Sequence, residues 1–157
     1  MPFTPIHLGP GYLTAATTAR RPRWFSFYVF ALSQVVIDLE TLRNILAHEA
    51  RLHTFFHTFS GSLSAGALTV AMYRPLYCLV DLPLRLFPGF KNDLDSFRVW
   101  ELALPAWTTA IFSAWAGAWS HVAFDAVNHA DVRPFWPWSE ANRRTTGSEA
   151  ESFTWLA

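Results

Sequence analysis

His121, Asp125 and His129 stand four residues apart in a largely apolar stretch, and His53 and His57 repeat the same step earlier in the chain. At 3.6 residues per turn, a four-residue step advances only about 40° around a helix, so each set is expected on one helical stripe. Five side chains of the metal-ligand type are then carried by segments that otherwise read as core. Burying imidazoles and carboxylates is costly unless something pairs them, and a divalent metal is the simplest partner. His7 and Asp38 supply two further candidates upstream.

Period-two alternation is nowhere sustained, so the expected fold is all-α: a compact bundle of about five helices, embedded in part in a membrane. A short helix is expected over 12–20, closed by the Arg-Arg-Pro-Arg stretch at 20–23. Residues 24–42 read as a helix apolar nearly all round, until Asp38 and Glu40. The next helix is expected to start between His48 and His53 and run to about Tyr73, with Pro75 as its stop or kink. Residues 81–98 bring two prolines and a charged run, which marks a loop between two halves. The longest helix is expected from Val99 to about Asn128. Arg133–Trp138 (RPFWPW) should form an aromatic flap. Residues 1–138 are thus read as a single helical metal-binding domain and 139–157 as a polar, loose tail.

Composition narrows the function classes. Twelve basic and twelve acidic residues cancel, leaving no electrostatic footprint for nucleic acid. The lone Cys78 excludes an intrachain disulfide and a cysteine-based zinc site, and is expected to be a small buried apolar residue. The first nine residues lack a basic start and an apolar core, so no signal peptide is expected. No phosphate-cradling glycine loop or nucleophile elbow is present. Only 15% of residues are charged, and 54–73 and 102–120 carry no formal charge. Both runs approach the ~20 residues that cross a bilayer. Membrane association is the leading expectation, with lipid as partner; an aromatic-rich soluble domain is the alternative.

Each candidate residue has an ordinary reading beside the functional one. His121, Asp125 and His129 are either metal ligands or a hydrogen-bonded polar series. His53 and His57 could pair by chance, but gain weight beside the later motif. Asp38 closes the run SQVVID, where a carboxylate at a helix C-terminus meets the wrong end of the dipole unless a cation lies near; the alternative is a solvated helix end beside Glu40. His7 lies in a Pro/Gly-rich segment able to approach a site. Asp131 and Arg133 read first as a loop ion pair, and second as groups that hold an imidazole N–H or a substrate phosphate. His48 and Glu49 read as surface. Trp107, Trp115 and Trp119 are expected in a core or at a membrane interface.

MPFTPIHLGP, VVIDLE, HTFFHTFSG and SHVAFDAVNHADVRPFWP, in that order, resemble the small bacterial membrane-bound, metal-dependent hydrolases of the YdjM-like type. The resemblance spans 1–138 in outline and leaves 75–98 and the tail uncovered. More remotely, the order of histidines and aspartates is similar to the zinc-dependent phospholipase C and S1/P1 nuclease group, which implies a helical fold with clustered metals and phosphoester hydrolysis. Carried over, the match implies His7, Asp38, His57, His121, Asp125 and His129 as ligands, with His53 added or alternative. The further His-xxx-Glu pair of the phospholipase group has no counterpart after His129, nor has its N-terminal tryptophan, so one or two ions are implied rather than three.

The expectation that results is a membrane-associated metallohydrolase of the bacterial inner membrane, a cytoplasmic location being the alternative. One or two divalent ions, zinc first and manganese or iron next, would activate water against a phosphoester. Asp38 and Asp125 are the candidate catalytic carboxylates and Arg133 the candidate substrate contact. The alternative is a non-catalytic helical membrane protein with a structural or sensory metal.

Overall fold

The computed structural model describes residues 7–17, 24–86 and 104–141, and every regular element among them is a helix. There are four: α1 (Gly9–Thr17), α2 (Phe27–Leu46), α3 (Phe59–Leu86) and α4 (Trp107–Asn128). The all-α expectation holds, with four helices described where about five were expected. α4 packs on both α2 and α3, α2 packs on α3, and α1 leans on α2.

The packing follows from the buried stripe of α4. Ala110, Ala114, Ala118 and Val122 recur at four-residue intervals and are fully buried. Three of them are alanines, so the neighbouring backbones come close, and Gly117 carries this furthest. A Cβ there would strike the Ser33 hydroxyl and lie 2.8 Å from the Phe30 carbonyl oxygen. Against this seam α2 sets Val29, Val36 and Ile37, and α3 sets Ala65 and Tyr73. Val29, Val36 and Ile37 each contribute about 1.5–3 kcal/mol by this burial.

The ends of the elements depart from expectation in ways that matter for the site. α2 begins after Ser26, whose hydroxyl accepts the Val29 N–H, and runs to Leu46, with Arg43 in its last turn facing the dipole favourably. Asp38 is therefore mid-helix, two turns short of the C-terminus. Residues 47–58 are turns and loop, so His53 and His57 do not lie on a helix. The segment is compact instead. The Thr58 hydroxyl donates to the Phe55 carbonyl and accepts the Gly61 N–H, both at 2.8 Å, which starts α3 only at Phe59. A Cβ at Gly61 would overlap the Phe55 carbonyl oxygen, so this turn requires glycine there.

α3 passes through Pro75 without ending. A proline leaves the carbonyl four residues earlier without its donor; here that residue is Ala71, which is exposed, so water can serve it. Most of the loop expected at 81–98 lies outside the described residues, and 81–86 are helical. Residues 99–103, at the expected start of the late helix, also lie outside them. α1 begins at Gly9, earlier than expected, with Pro10 in its first turn, where the missing N–H costs nothing. Arg133–Trp138 is irregular, as expected, and pinned to α3: the Phe59 N–H donates to the Pro134 carbonyl and the Ser60 hydroxyl to the Trp136 carbonyl, each at 2.8 Å. All but the first three residues of the tail lie outside the described residues.

Among the described residues no helix is long and apolar enough to cross a membrane, which weakens the expectation of spanning helices around 54–73 and 102–120. The first of those runs opens in the 47–58 loop, and the second is diluted by Ser, Thr, Gly and Ala. Cys78 is exposed rather than buried, because its position on α3 faces away from the seam. Trp107, Trp115 and Trp119 are likewise partly exposed rather than buried in the core, Trp107 packing on Tyr73 and Arg74 and Trp115 against Gly66 of α3.

Candidate metal centre

Asp125 is the hub. It lies one turn beyond His121 on the buried stripe of α4, and its side chain is almost fully enclosed. Its two oxygens divide the surrounding imidazoles. Oδ2 lies 3.0 Å from His121 Nε2 and 3.4 Å from His57 Nε2. Oδ1 lies 3.3 Å from His7 Nε2 and 3.7 Å from His129 Nε2. From α2, Asp38 Oδ1 reaches within 3.3 Å of His121 Nε2. His53 joins from the loop, its ring 4.7 Å from that of His57 and stacked 4.5 Å from that of His129. His7, just before α1, stacks on His121 at 4.3 Å.

All seven candidate ligands meet in one place. Four groups of three have ligand atoms within 4.8 Å of one another: His7/His121/Asp125, Asp38/His57/His121, His53/His57/Asp125 and His53/His129/Asp131. Buried His and Asp groups here could hold a metal ion. Arg133 stands apart; its guanidinium pairs with Glu140 at 2.8 Å.

The outer contacts set the tautomers. Gln34 Nε2 donates to the Gly117 carbonyl at 2.8 Å, an atom that can only accept, so its Oε1 is turned to His121 Nδ1 at 2.7 Å. His121 must then carry a proton on Nδ1, which leaves Nε2, aimed inward, as the atom that would give up its own proton to a metal. Glu40 does the same for His57, with Oε2 3.1 Å from Nδ1, and Asp131 for His53, with Oδ2 2.8 Å from Nδ1. Carboxylates and amides that fix an imidazole in this way are the usual company of a metal-bound histidine. Two buried ring nitrogens, His121 Nε2 and His7 Nδ1, have no hydrogen-bond partner among the described residues. The Asp125 and Asp38 carboxylates face His121 Nε2 at ion-pair distance, 3.0 and 3.3 Å.

Charge follows the same plan. Burial lowers the pKa of His7 and of His57, leaving both neutral lone-pair donors. Burial also pulls His121 down, but the Asp125 and Asp38 carboxylates outweigh it and lift its pKa to about 9. Burial pushes Asp125, Glu40 and Asp131 up, yet their imidazole partners (His121, His57 and His53 in turn) hold all three below the ordinary carboxylate range. The centre is anionic and gathers positive charge on His121, at the point where a cation would sit.

Two contributors, Glu40 and Gln34, were not assigned by sequence. Glu40, read as support for a solvated helix end, grips the loop through the Phe56 N–H at 2.9 Å and through His57. Nothing in local spacing announces that, because its partners are a loop. Gln34 had a signal: a lone amide in an apolar run, four residues before Asp38. Asp131 and Arg133 do not form the loop ion pair read first; Asp131 instead holds the His53 imidazole, as in the second reading, and Arg133 turns to Glu140. No model of a known protein family, no curated protein and no solved structure matches the chain.

Proposed function

We propose that this protein is a metal-dependent hydrolase that cleaves a phosphoester, with one or two divalent ions, zinc first, held around Asp125. The observation that carries the reading is the set of His57, His121 and His53 rings, each held at Nδ1 by Glu40, Gln34 or Asp131. A divalent ion there would lower the pKa of bound water toward neutrality and polarise the ester under attack. The division of imidazoles between the two Asp125 oxygens suits a carboxylate that bridges two ions. Asp38, a third exposed where Asp125 is enclosed, would orient the attacking water. The partly exposed Trp107, Phe112, Trp115 and Trp119 of α4 support a protein lying against a membrane surface and a lipid phosphoester as substrate.

A structural or sensory metal is the second reading, favoured by the burial of His57 and His121, since structural zinc sites are closed. Metal content per chain decides first. Wild type should hold one or two equivalents after purification without chelator, and His121→Ala/Asp125→Ala should hold none. Turnover of a phosphoester panel then separates the readings: loss in Asp125→Ala with helicity retained supports the hydrolase. A metal-loaded wild type that cleaves none of them leaves the structural role.

A further inference from the structure

A cavity of about 310 Å³ opens beside the centre. His53 and Asp131 form its inner wall, so it shares two side chains with the metal cluster. Phe55 and Trp136 stand edge to face, 6.5 Å apart, as its apolar walls. Arg51 and Arg133 bring two positive charges to it against the carboxylates of Asp131 and Glu140, each of which is paired, with His53 and with Arg133. The volume is at the small end for ligand sites and admits a headgroup with a ring-sized substituent.

We infer that this cavity seats the phosphoryl anion of a monoester with Arg133 as its anchor, and that Glu140 occupies the anchor until the anion displaces it. The inference rests on the proposed hydrolase reading and adds to it the substrate class and an internal competitor. Arg133 Nη1 meets Glu140 Oε2 at 2.8 Å. A guanidinium offers a planar fork that suits a carboxylate and a phosphoryl group alike. Glu140 is largely exposed, on the strand of chain leaving the turns at 134–138, so leaving Arg133 returns its carboxylate to water at little cost. Arg133 is only about a third exposed, its stem held beside the cavity, so it stays when Glu140 departs. A hydrocarbon substituent on the phosphate meets Phe55 and Trp136, while the phosphorus lies on the side of His53 and Asp131, next to the ions.

The test is calorimetric titration of the zinc-loaded full chain with phenyl phosphate, inorganic phosphate and phenol. Arg133→Gln should weaken phenyl phosphate by about tenfold or more. Glu140→Gln should tighten it by about three- to fivefold, the scale of an exposed ion pair. Phenol should bind equally to all three proteins, and inorganic phosphate more weakly than phenyl phosphate. Metal content and circular dichroism identify any variant that has lost its fold. Equal phenyl phosphate affinity in wild type, Arg133→Gln and Glu140→Gln overturns the inference, as does weaker binding in Glu140→Gln. Dioctanoyl phosphatidate competing with phenyl phosphate marks a lipid source, and failure to compete marks a soluble ester. The seat and the hydrolase can fail separately. Turnover with an unchanged KM in Arg133→Gln removes the seat alone, and Arg133-dependent binding without turnover of any ester removes the hydrolase alone.

Discussion

Gln34 and His121 face each other across the seam between α2 and α4, and the glutamine decides which imidazole nitrogen carries the proton. Gln34→Leu removes that decision without touching a ligand atom. Zinc affinity should fall about 10–100-fold, the usual effect of losing such a partner. Competition with a chromophoric chelator measures it; unchanged affinity would show that His121 does not bind the ion through Nε2.

Glu40 has two duties, orienting His57 and holding the 47–58 loop through the Phe56 N–H. Glu40→Ala should therefore weaken zinc by a similar factor and also loosen the loop. Hydrogen exchange at Phe56 should speed up while α4 stays protected. If affinity drops with no change at Phe56, the carboxylate serves the ring alone.

Acid and alkali should both destabilise the metal-free protein. His121, raised to about 9, contributes stability that is complete below its ordinary 6.5 and fades as pH rises through 9. His7 and His57 are lowered, so the fold loses stability as pH falls below 6.5 and the unfolded chain takes up protons they refuse. The melting temperature of the chelator-treated protein should peak near neutrality. Zinc, replacing the His121 proton, should flatten the alkaline side. A metal-free profile that is level from pH 6.5 to 9 contradicts the carboxylate environment described for His121.

Gly117→Ala tests the frame rather than the ligands. The added methyl would meet Ser33 and the Phe30 carbonyl and press on Gln34 Nε2 at 3.2 Å. Overpacking of this kind costs about 1–3 kcal/mol. Both denaturation midpoint and zinc affinity should decline, because moving α4 off α2 moves His121 off Gln34. A stability loss with intact affinity would mean that the two helices shift together.

How much of this was legible in the residues differs from place to place. The step from His121 to Asp125 is local, and the helix it implies exists; His129 follows just past the last turn. The same spacing misled at His53 and His57, since a tight turn built on Thr58 and Gly61 also brings i and i+4 together. Asp38 was placed at a helix end because it closes the apolar run SQVVID and Glu40 follows it, yet Glu40 is taken up by a loop and the helix continues to Leu46. Pairings such as Gln34–His121 or His53–Asp131 join positions 87 and 78 residues apart, and no local pattern encodes them. The tryptophans of α4 were read as core or interface residues, and their partial exposure decides against the core; periodicity marks faces without saying which face meets a neighbour.

His7 precedes α1, His57 closes a loop, and Asp125 sits near the end of α4, so an ion shared among them would tie together three stretches far apart in the chain. Lengthening a closed loop adds only slowly to the entropy cost of closure, so a tie between residues 7 and 125 costs little more than a shorter one. A chain with a single cysteine has no covalent staple of its own. The ion would serve as one, reversible by chelation, and the docking of the N-terminal arm would follow the supply of metal.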